Sequence, residues 1–583
     1  MKKLPFNGTF GPYAGKDTLS RKLPFADRVG GPKGDRYVGM FYFINLAWKN
    51  GRPLHDNAKI LKETPEAFHD IHHPAWDTDA CYWGEPLFGY YSDNDEWVIR
   101  RHAVLLTMAD IDFIVFDVTN AIMFADNALT VMKIFNEYLQ AGWNVPKVVF
   151  YTNSSPVKSI QEVYDTVYAQ NLYPDLWFRW EGKPLLIGRP ENCSEEIRSF
   201  FTFRHSQWPT EKGPSTDAFP WMSFERPQYL FRNGKGEGEV MSVSAAQHPQ
   251  ICFGDSAFYG ERKNRGRSYH RAFYTEENDA ASGAVNWGYN IAEQWEYAIS
   301  CDPKIVFVTG WNEWTAHPFL RPECPERPVG FVDTASQEYS RDLEPMKGGH
   351  FDLYYMQLID YVRRFKGCAP WPERREHEIN LENGFDQWND IAPEYYGFPY
   401  LEQHRSSVGM TGERYTNNTG RNNFDILKVS RAGDTISFYA KCYDDINLYN
   451  FSGKMILLLK VRKYGCDPDE FPSWEGYHFI LNHEQIDGAT SILYRCLGGW
   501  RWEPAATVPF RIDGKEVAAA VPLKELGLSQ TDPFELEFKW ADNLKETENA
   551  EDFYLNGCCA PYGRLNFVYR TSDYEKAGAP VKP

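Results

Sequence analysis

The 583-residue sequence lacks any run of about 18 apolar residues, which excludes an ordinary membrane-spanning helix. It also lacks a Gly-rich dinucleotide fingerprint and a phosphate-binding loop, so the common nucleotide cofactors have no motif here. No CxxC pair is present among the 11 scattered cysteines, a pattern typical of reduced thiols and not of a zinc site or a disulfide framework. We therefore expect no cofactor and no metal.

Positive charge is scarce relative to negative charge, and the formal net charge is −18. A surface of this sign repels phosphate backbones and anionic lipids, so neither nucleic acid nor a membrane is an expected partner. Two lysines stand at the amino terminus, but no apolar segment of a secretion signal follows them. This predicts a cytoplasmic protein, or a secreted or periplasmic one if a leader has been removed. The sequence leaves the oligomeric state open.

Aromatic residues are abundant at 16%, with 19 Trp, 35 Tyr and 39 Phe. Aromatic faces stack on the apolar faces of sugar rings, which favours a glycan or oligosaccharide partner. The alternative is that these rings fill protein cores, because barrels and sandwiches also store aromatic side chains there. Composition alone leaves both explanations open.

Apolar runs of strand type alternate with helical segments from residue 36 onward, after an irregular lead-in over 1–35 rich in Gly, Pro and charge. This alternation predicts an α/β fold, a (β/α)8 TIM-type barrel over 36–370. The predicted strands are 36–44, 112–118, 145–153, two within 176–188, 239–246 and 304–311, and the predicted helices are 95–111, 127–142, 159–171, 194–205, 290–301 and 352–367.

The composition and the hydrophobic pattern of the sequence change after the predicted barrel. Residues 371–380 are rich in proline and charge and indicate a linker. From 381 to 583 short β-type runs alternate with turn signals, which predicts an antiparallel β-sandwich domain.

The residues at the strand ends are the candidates for chemistry, because parallel barrels present their active sites at the carboxyl ends of the strands. The strand 304–311 leads into Trp311, Asn312, Glu313 and Trp314, of which Trp311, Asn312 and Trp314 are candidates for substrate binding. Apolar neighbours raise the pKa of a carboxyl group, so Glu313 is a candidate catalytic acid or base. The structural alternative is a buried glutamate paired with an arginine.

Glycoside hydrolysis needs a second carboxyl group. The strand 112–118 offers Asp117 as this second acid and Asn120 as a candidate for substrate binding, although Asp117 could equally cap the next helix. Near other predicted strand ends and loops stand further candidates for substrate binding, among which a lone histidine is more often structural. These candidates are Tyr42, Asn45, Glu85, Glu225, Gln247, His248 and Trp287.

The run from Gly310 to His317, followed by residues 338–367, resembles the end of the barrel in the glycoside hydrolase family 71 and 99 group. This resemblance implies a (β/α)8 barrel of the kind found in endo-acting α-mannosidases and α-glucanases. In the endo-α-mannosidase branch the motif is Asn-Glu-Trp-x-Glu, and both glutamates are catalytic. Here the first corresponds to Glu313, whereas the second position is Ala316. The second carboxyl group must then come from elsewhere, with Asp117 first and Glu85 and Glu225 next.

The second domain resembles the family 9 type of carbohydrate-binding sandwich. The resemblance lies in residues 417–442, in FKWADN (538–543) and in APYGRLNFVY (560–569). It implies possible stacking platforms at Trp474, Trp500 and Trp502, although many such sandwiches act only as supports.

Together these features predict a glycosidase that cleaves O-glycosidic bonds of a complex glycan or oligosaccharide by carboxylate acid/base catalysis. One alternative is a glycan-binding barrel without turnover. Another is a glycan-modifying transferase, which ranks last because no basic diphosphate cradle is visible at a Gly-rich loop.

Overall fold

The computed structural model describes residues 13–45, 55–76, 81–247, 265–270, 278–322, 325, 328–332, 334–446, 455–482 and 489–577. The chain forms two compact units. The first contains Asp17–Cys368 and Ser407–Tyr415, and the second contains residues 13–16, Ala369–Ser406 and the chain from Thr416 onward. Residues 371–380, expected to be a linker, lie in the second unit.

The first unit is built on eight parallel strands that follow one another around a nearly closed barrel. Each strand pairs in parallel with the next from β1 to β6, β7 pairs with β8, and β8 pairs with β1. The strands are β1 (Tyr37–Tyr42), β2 (Phe113–Val118), β3 (Lys147–Thr152), β4 (Lys183–Ile187), β5 (Thr202–Gln207), β6 (Ala218–Pro220), β7 (Gly238–Val243) and β8 (Ile305–Val308).

Between β6 and β7 the barrel is bridged by a short extra strand, Phe231–Arg232, which pairs antiparallel with β7. The carbonyl of Arg232 accepts a hydrogen bond from the Asp217 N–H, just before β6. The order of the strands agrees with the predicted barrel.

Helices cover the barrel after most of its strands. They are α1 (Glu96–Met108), α2 (Ala125–Gln140), α3 (Pro156–Val163), α4 (Glu195–Phe200), α5 (Tyr289–Cys301) and α6 (Leu353–Lys366). Asp95 caps α1 by accepting from the Val98 N–H, and Gly367 ends α6 with a positive φ of 82°. No helix spans a membrane's thickness with apolar residues in the described part of the chain.

Residues 201–205 were predicted to continue a helix, and this prediction was wrong. That helix ends at Phe200, and β5 begins two residues later. The loops after β5 and β6, both fully described, contain no helix, so these two repeats depart from the predicted pattern. The strand β6 has three residues and was not predicted, because so short a run carries no periodic signal.

Aromatic side chains fill the barrel interior. Phe41 of β1 contacts Phe307 and Tyr151 with ring centroids 5.7 and 6.0 Å apart, and Phe219 lies 4.9 Å from Phe307. All four belong to one buried cluster with Val115, Val149, Ile187 and others. Much of the aromatic content is therefore core, as the structural explanation of the composition predicted.

The second unit is an antiparallel, barrel-like sheet in two arms. The long strand Trp502–Asp513 belongs to both, because its first half pairs with Thr490–Cys496 and its second half with Glu516–Pro522. The arms face each other through Phe438 and Phe538, with centroids 6.1 Å apart. The strands that were predicted to form a sandwich thus form one continuous antiparallel sheet. Its other strands are Tyr395–Tyr396, Phe424–Ala432, Thr435–Cys442, Met455–Lys463, Phe479–Leu481, Phe534–Asp542, Cys558–Ala560 and Phe567–Arg570.

The described chain also contains shorter elements. A small sheet in the first unit combines His55–Asp56, Cys81–Tyr82, Thr315–Leu320 and Val329–Val332, and Arg179–Trp180 pairs with β4. Other short pieces are the hairpin strands Arg405–Val408 and Arg414–Asn417 and the helices Ala26–Val29, Asn57–Glu63, Asp552–Leu555 and Ser572–Ala577.

Candidate active site

Glu313 lies just beyond the carboxyl end of β8 and is held at both its side chain and its main chain. Its carboxylate accepts a hydrogen bond from the fully buried Arg341, and its N–H donates to Asp342 Oδ1 at 2.7 Å. Glu313 itself is 9% exposed. The glutamate is therefore locked to an arginine, as the structural alternative predicted, but it keeps an exposed edge.

The segment from Ser340 to Glu344 runs alongside the end of β8 and builds this clamp. The Arg341 carbonyl accepts from the Gly310 N–H at 3.3 Å, and the Glu344 N–H donates to the Trp311 carbonyl at 3.0 Å. Arg267, also fully buried, donates to the Asp342 carbonyl at 2.6 Å. These bonds fix Arg341 and Asp342 against the glutamate.

Asp117, in β2, is a second carboxyl group that is affected by the charge of Arg341, the partner of Glu313. Asp117 is 9% exposed, and its Oδ1 accepts the Thr119 N–H at 2.9 Å. Burial raises the pKa of Asp117, an effect that the hydrogen bonds from Thr119 and the charge of Arg341 oppose in part. Two nearly buried carboxyl groups from different strands thus lie in the field of one guanidinium group.

Asp342 is a third acid at this end of the barrel. It is fully buried, and burial raises its pKa to about 6, against the lowering effects of Arg341, the Glu313 N–H and Arg267. Its Oδ2 accepts from Ser340 Oγ at 3.2 Å. Because both oxygens are held by neighbouring groups, Asp342 positions Glu313 and has no exposed surface for a substrate.

The two indoles that flank Glu313 in sequence are fully buried. Trp314 stacks on Trp83 with centroids 4.3 Å apart, and its Nε1 donates to Glu344 at 2.5 Å. Trp311 lies edge-on to His102 at 5.7 Å. Both rings pack against other side chains and support the loop. Neither Trp311 nor Trp314 has exposed ring surface with which to make the predicted substrate contacts.

Three further predicted contact residues are buried and used inside the protein. Asn312 accepts from the Phe43 N–H at 2.9 Å and donates to the Phe43 carbonyl at 3.1 Å. Tyr42 bonds to His102 Nδ1 at 2.8 Å, and Gln247 donates to the Glu225 carbonyl at 2.6 Å. Their side chains bond to neighbouring loops and, for Tyr42, to the helix α1 instead of facing solvent.

The remaining predicted residues are scattered. Asn120 and Glu225 are exposed, Asn45 is half-buried, and Glu85 forms an ion pair with Lys347 at 3.2 Å. His248 lies outside the described residues.

Trp287 is 41% exposed and stacks with Tyr289, its ring centroid 6.0 Å away. It lines a groove of about 220 Å³ together with side chains of α6 such as Asp360 and Arg364. None of these observations joins Trp287 to the clamp around Glu313.

Ala316, where the resembling branch has its second glutamate, is buried in the strand Thr315–Leu320 and pairs with Cys81. Sequence reasoning missed Arg341, Asp342 and Glu344, although they stand in the run 338–367 that carried the family resemblance. A run of acidic and basic residues just before a closing helix was the available signal.

Sequence reasoning also missed Trp208 and Trp221, which follow β5 and β6. Their rings are stacked with centroids 4.5 Å apart and planes inclined by 9°. The Arg341 guanidinium carbon lies over the Trp221 ring at 4.8 Å from its centre. This places an aromatic pair beside the Glu313 clamp.

The three tryptophans predicted as platforms in the second unit are packed together there. Trp474 is buried and meets Trp500 edge-on at 4.5 Å, and Trp500 meets Trp502 in the same way at 5.4 Å. They belong to or pack against the hydrophobic cluster of one arm.

No protein-family model and no curated protein matches this chain. Among solved structures, the chain is similar to a GH99 endo-alpha-mannosidase from Bacteroides thetaiotaomicron in complex with Bis-Tris propane. That similarity has a TM-score of 0.33 and 13% identity over 56% of this chain and 97% of the other. A second structure of the GH99 endo-alpha-mannosidase from this organism gives a TM-score of 0.32 and 15% identity over the same shares. These values describe a distant likeness of fold only.

Proposed function

We propose that the first unit is a glycoside hydrolase that cleaves O-glycosidic bonds of a complex glycan or oligosaccharide, with Glu313 and Asp117 as its working carboxyl groups. The observation that carries this proposal is their shared environment. Both stand beyond or near the carboxyl ends of barrel strands and both retain 9% exposure. The buried Arg341 pairs with Glu313, and its charge acts to lower the pKa of Asp117. Barrel enzymes place their chemistry at this face.

The environments of the two groups suggest different roles. Arginine stays protonated in proteins, so its ion pair presents Glu313 as a carboxylate, which suits a base or nucleophile. Burial raises the pKa of Asp117, which suits a proton donor. In the proposed step Asp117 gives its proton to the departing glycosidic oxygen. Glu313 either attacks the anomeric carbon itself, forming a glycosyl-enzyme that water then hydrolyses, or takes a proton from the water molecule that attacks this carbon.

Hydrolysis of a glycan panel tests this assignment, with new reducing ends as the readout. Glu313→Gln and Asp117→Asn are each expected to lower kcat by at least about 10²-fold, the usual scale for losing one acid or base. Glu195→Gln, at an exposed carboxylate on α4, is the matched control and should retain full activity. Wild-type turnover that survives in Glu313→Gln would reject the proposal.

A second candidate function is glycan binding without turnover. The arginine clamp on Glu313 and the alanine at position 316 favour it, because a locked carboxylate that lacks the usual second glutamate can hold sugar hydroxyls without reacting. Glycan binding with no released reducing ends from any bound glycan would support this candidate over hydrolysis.

A further inference from the structure

A layered stack extends outward from the Glu313 clamp. Arg341 lies over Trp221 at 4.8 Å and Trp208 lies parallel to Trp221 at 4.5 Å. Two groups cannot both sit so close to one ring centre on the same face, so Arg341 and Trp208 occupy opposite faces of Trp221. The order of the stack is therefore guanidinium, inner indole and outer indole.

Exposure increases along this stack. Arg341 is fully buried, Trp221 is 4% exposed, and Trp208 is half-buried. Both faces of Trp221 are already covered, whereas only one face of Trp208 is used by Trp221. Trp208 also packs against the buried cluster of the barrel, and this partly exposed residue lies at the end of the barrel where Glu313 lies.

The stack is anchored to the barrel on both sides. β5 and β6 pair directly, with Gln207 opposite Pro220, and these are the residues that precede the two tryptophans. Thr309 Oγ1, at the end of β8, donates to the Trp221 carbonyl at 3.0 Å. The platform is therefore fixed relative to the strand that delivers Glu313.

Polar groups lie next to the main chain of Trp208. The main-chain N–H of Trp208 donates to Glu211 Oε1 at 2.9 Å, and Arg189 donates to both oxygens of Glu211 at 2.9 Å. Glu211 and Arg189 are each about 40% exposed. A tryptophan ring can stack on the apolar face of a sugar, and an exposed carboxylate and guanidinium group on the same loop can bond to its hydroxyls.

From this geometry we infer that Trp208 forms a sugar-stacking subsite outside the Glu313 clamp, and that the ligand is an oligosaccharide chain long enough to cover both positions. The inference rests on the proposed function for the location of the reacting bond, but it concerns binding. A terminal sugar with a small leaving group would leave the Trp208 ring unused.

Binding in the Glu313→Gln background tests the subsite without relying on turnover. A printed array of neutral and acidic oligosaccharides is the probe, followed by titration of the free oligosaccharide that binds best. Trp208→Ala is expected to weaken this binding about tenfold, the upper end for loss of one aromatic contact. Trp208→Phe should restore most of it, because a ring remains. Tyr297→Ala, at an exposed ring near the carboxyl end of α5, is the matched control and should bind normally.

Chain length gives the second readout. Affinity should rise when the oligosaccharide becomes long enough to reach Trp208, and this rise should vanish in Trp208→Ala. Unchanged affinity in Trp208→Ala, or no binding of any array member by the folded Glu313→Gln protein, would overturn the inference. Strong Trp208-dependent binding in a wild-type protein that releases no reducing ends would instead reject the hydrolase proposal and leave the subsite standing.

Discussion

Trp314 donates its indole N–H to Glu344 at 2.5 Å, deep below the exposed edge of Glu313. The same carboxylate accepts from Tyr91 at 2.7 Å and bonds to His102 at 2.9 Å. All four side chains are buried. A single acid thus ties the loop that carries Glu313 to α1 and to the segment around Tyr91.

Replacement of Glu344 by methionine should lower the free energy of unfolding by about 3 kcal/mol or more, because buried donors on Trp314 and Tyr91 lose their acceptor. Glu344→Gln keeps an acceptor oxygen of the same shape and should lose less. Urea denaturation followed by tryptophan fluorescence measures both variants. Equal losses in the two variants would show that the charge, and not the acceptor, matters.

Arg341→Met should destabilise the protein by about 3–5 kcal/mol, because it leaves the Glu313 carboxylate nearly buried without its cation. The double variant Arg341→Met/Glu313→Gln should recover much of this loss, since the uncompensated charge is gone. Chemical denaturation of the wild type, both single variants and the double variant gives the coupling free energy. Simple additivity would contradict the assigned ion pair.

The acid Asp110 should make the first unit less stable as the pH rises from about 4 to 7. Lys366 Nζ lies 2.8 Å from Asp110 and 2.9 Å from Asp112, yet burial still raises the pKa of Asp110 to about 7. Between its ordinary value of 3.8 and this value, the folded protein holds a proton that the unfolded chain has lost. Stability therefore falls through this range.

Asp110→Asn removes that titration, and unfolding free energies measured at pH 4, 5, 6 and 7 should show a flatter profile than the wild type. The Asp35→Asn variant, at an exposed carboxylate paired with Lys304, is the control and should keep the wild-type slope over this range. An unchanged slope in Asp110→Asn would contradict the assignment.

Lys539 should make the second unit more stable as the pH rises, which is opposite to the effect of Asp110 on the first unit. It is fully buried in the strand Phe534–Asp542, donates to the Pro561 carbonyl, and lies 5.1 Å from the Phe553 ring centre. Burial lowers its pKa from 10.5 to about 7. Between these values the unfolded chain binds the extra proton, so stability should rise with pH from about 7 to 10.

Lys539→Met should abolish this rise and stabilise the protein by about 1–3 kcal/mol at pH 7, because the buried charge is replaced by an apolar chain of similar length. Denaturation at pH 7, 8 and 9 measures both effects. A variant that loses stability at pH 7 would show that the bond to Pro561 outweighs the cost of burial.

Local sequence determined the elements with strong periodicity and clear ends. α1, α2 and α6, the strands β1, β2, β3 and β8, and most of the antiparallel strands beyond residue 433 follow from apolar runs, caps and turn signals close to where the structure has them. The strands Phe424–Ala432 and Cys558–Ala560 were not predicted. The candidates Glu313 and Asp117 could be chosen from the sequence for a related reason. The end of a predicted parallel strand fixes the face of the barrel on which a side chain emerges.

Tertiary structure alone decided which charges meet. Arg341 and Glu313 are 28 residues apart, and Trp208 and Trp221 follow different strands, so no local pattern pairs them. Burial depends on how the whole barrel closes, and closure turned Trp311, Asn312 and Trp314 from expected sugar contacts into supports. Sequence periodicity specifies the near neighbours of a residue along one element, whereas contacts between elements exist only after the fold has brought their ends together.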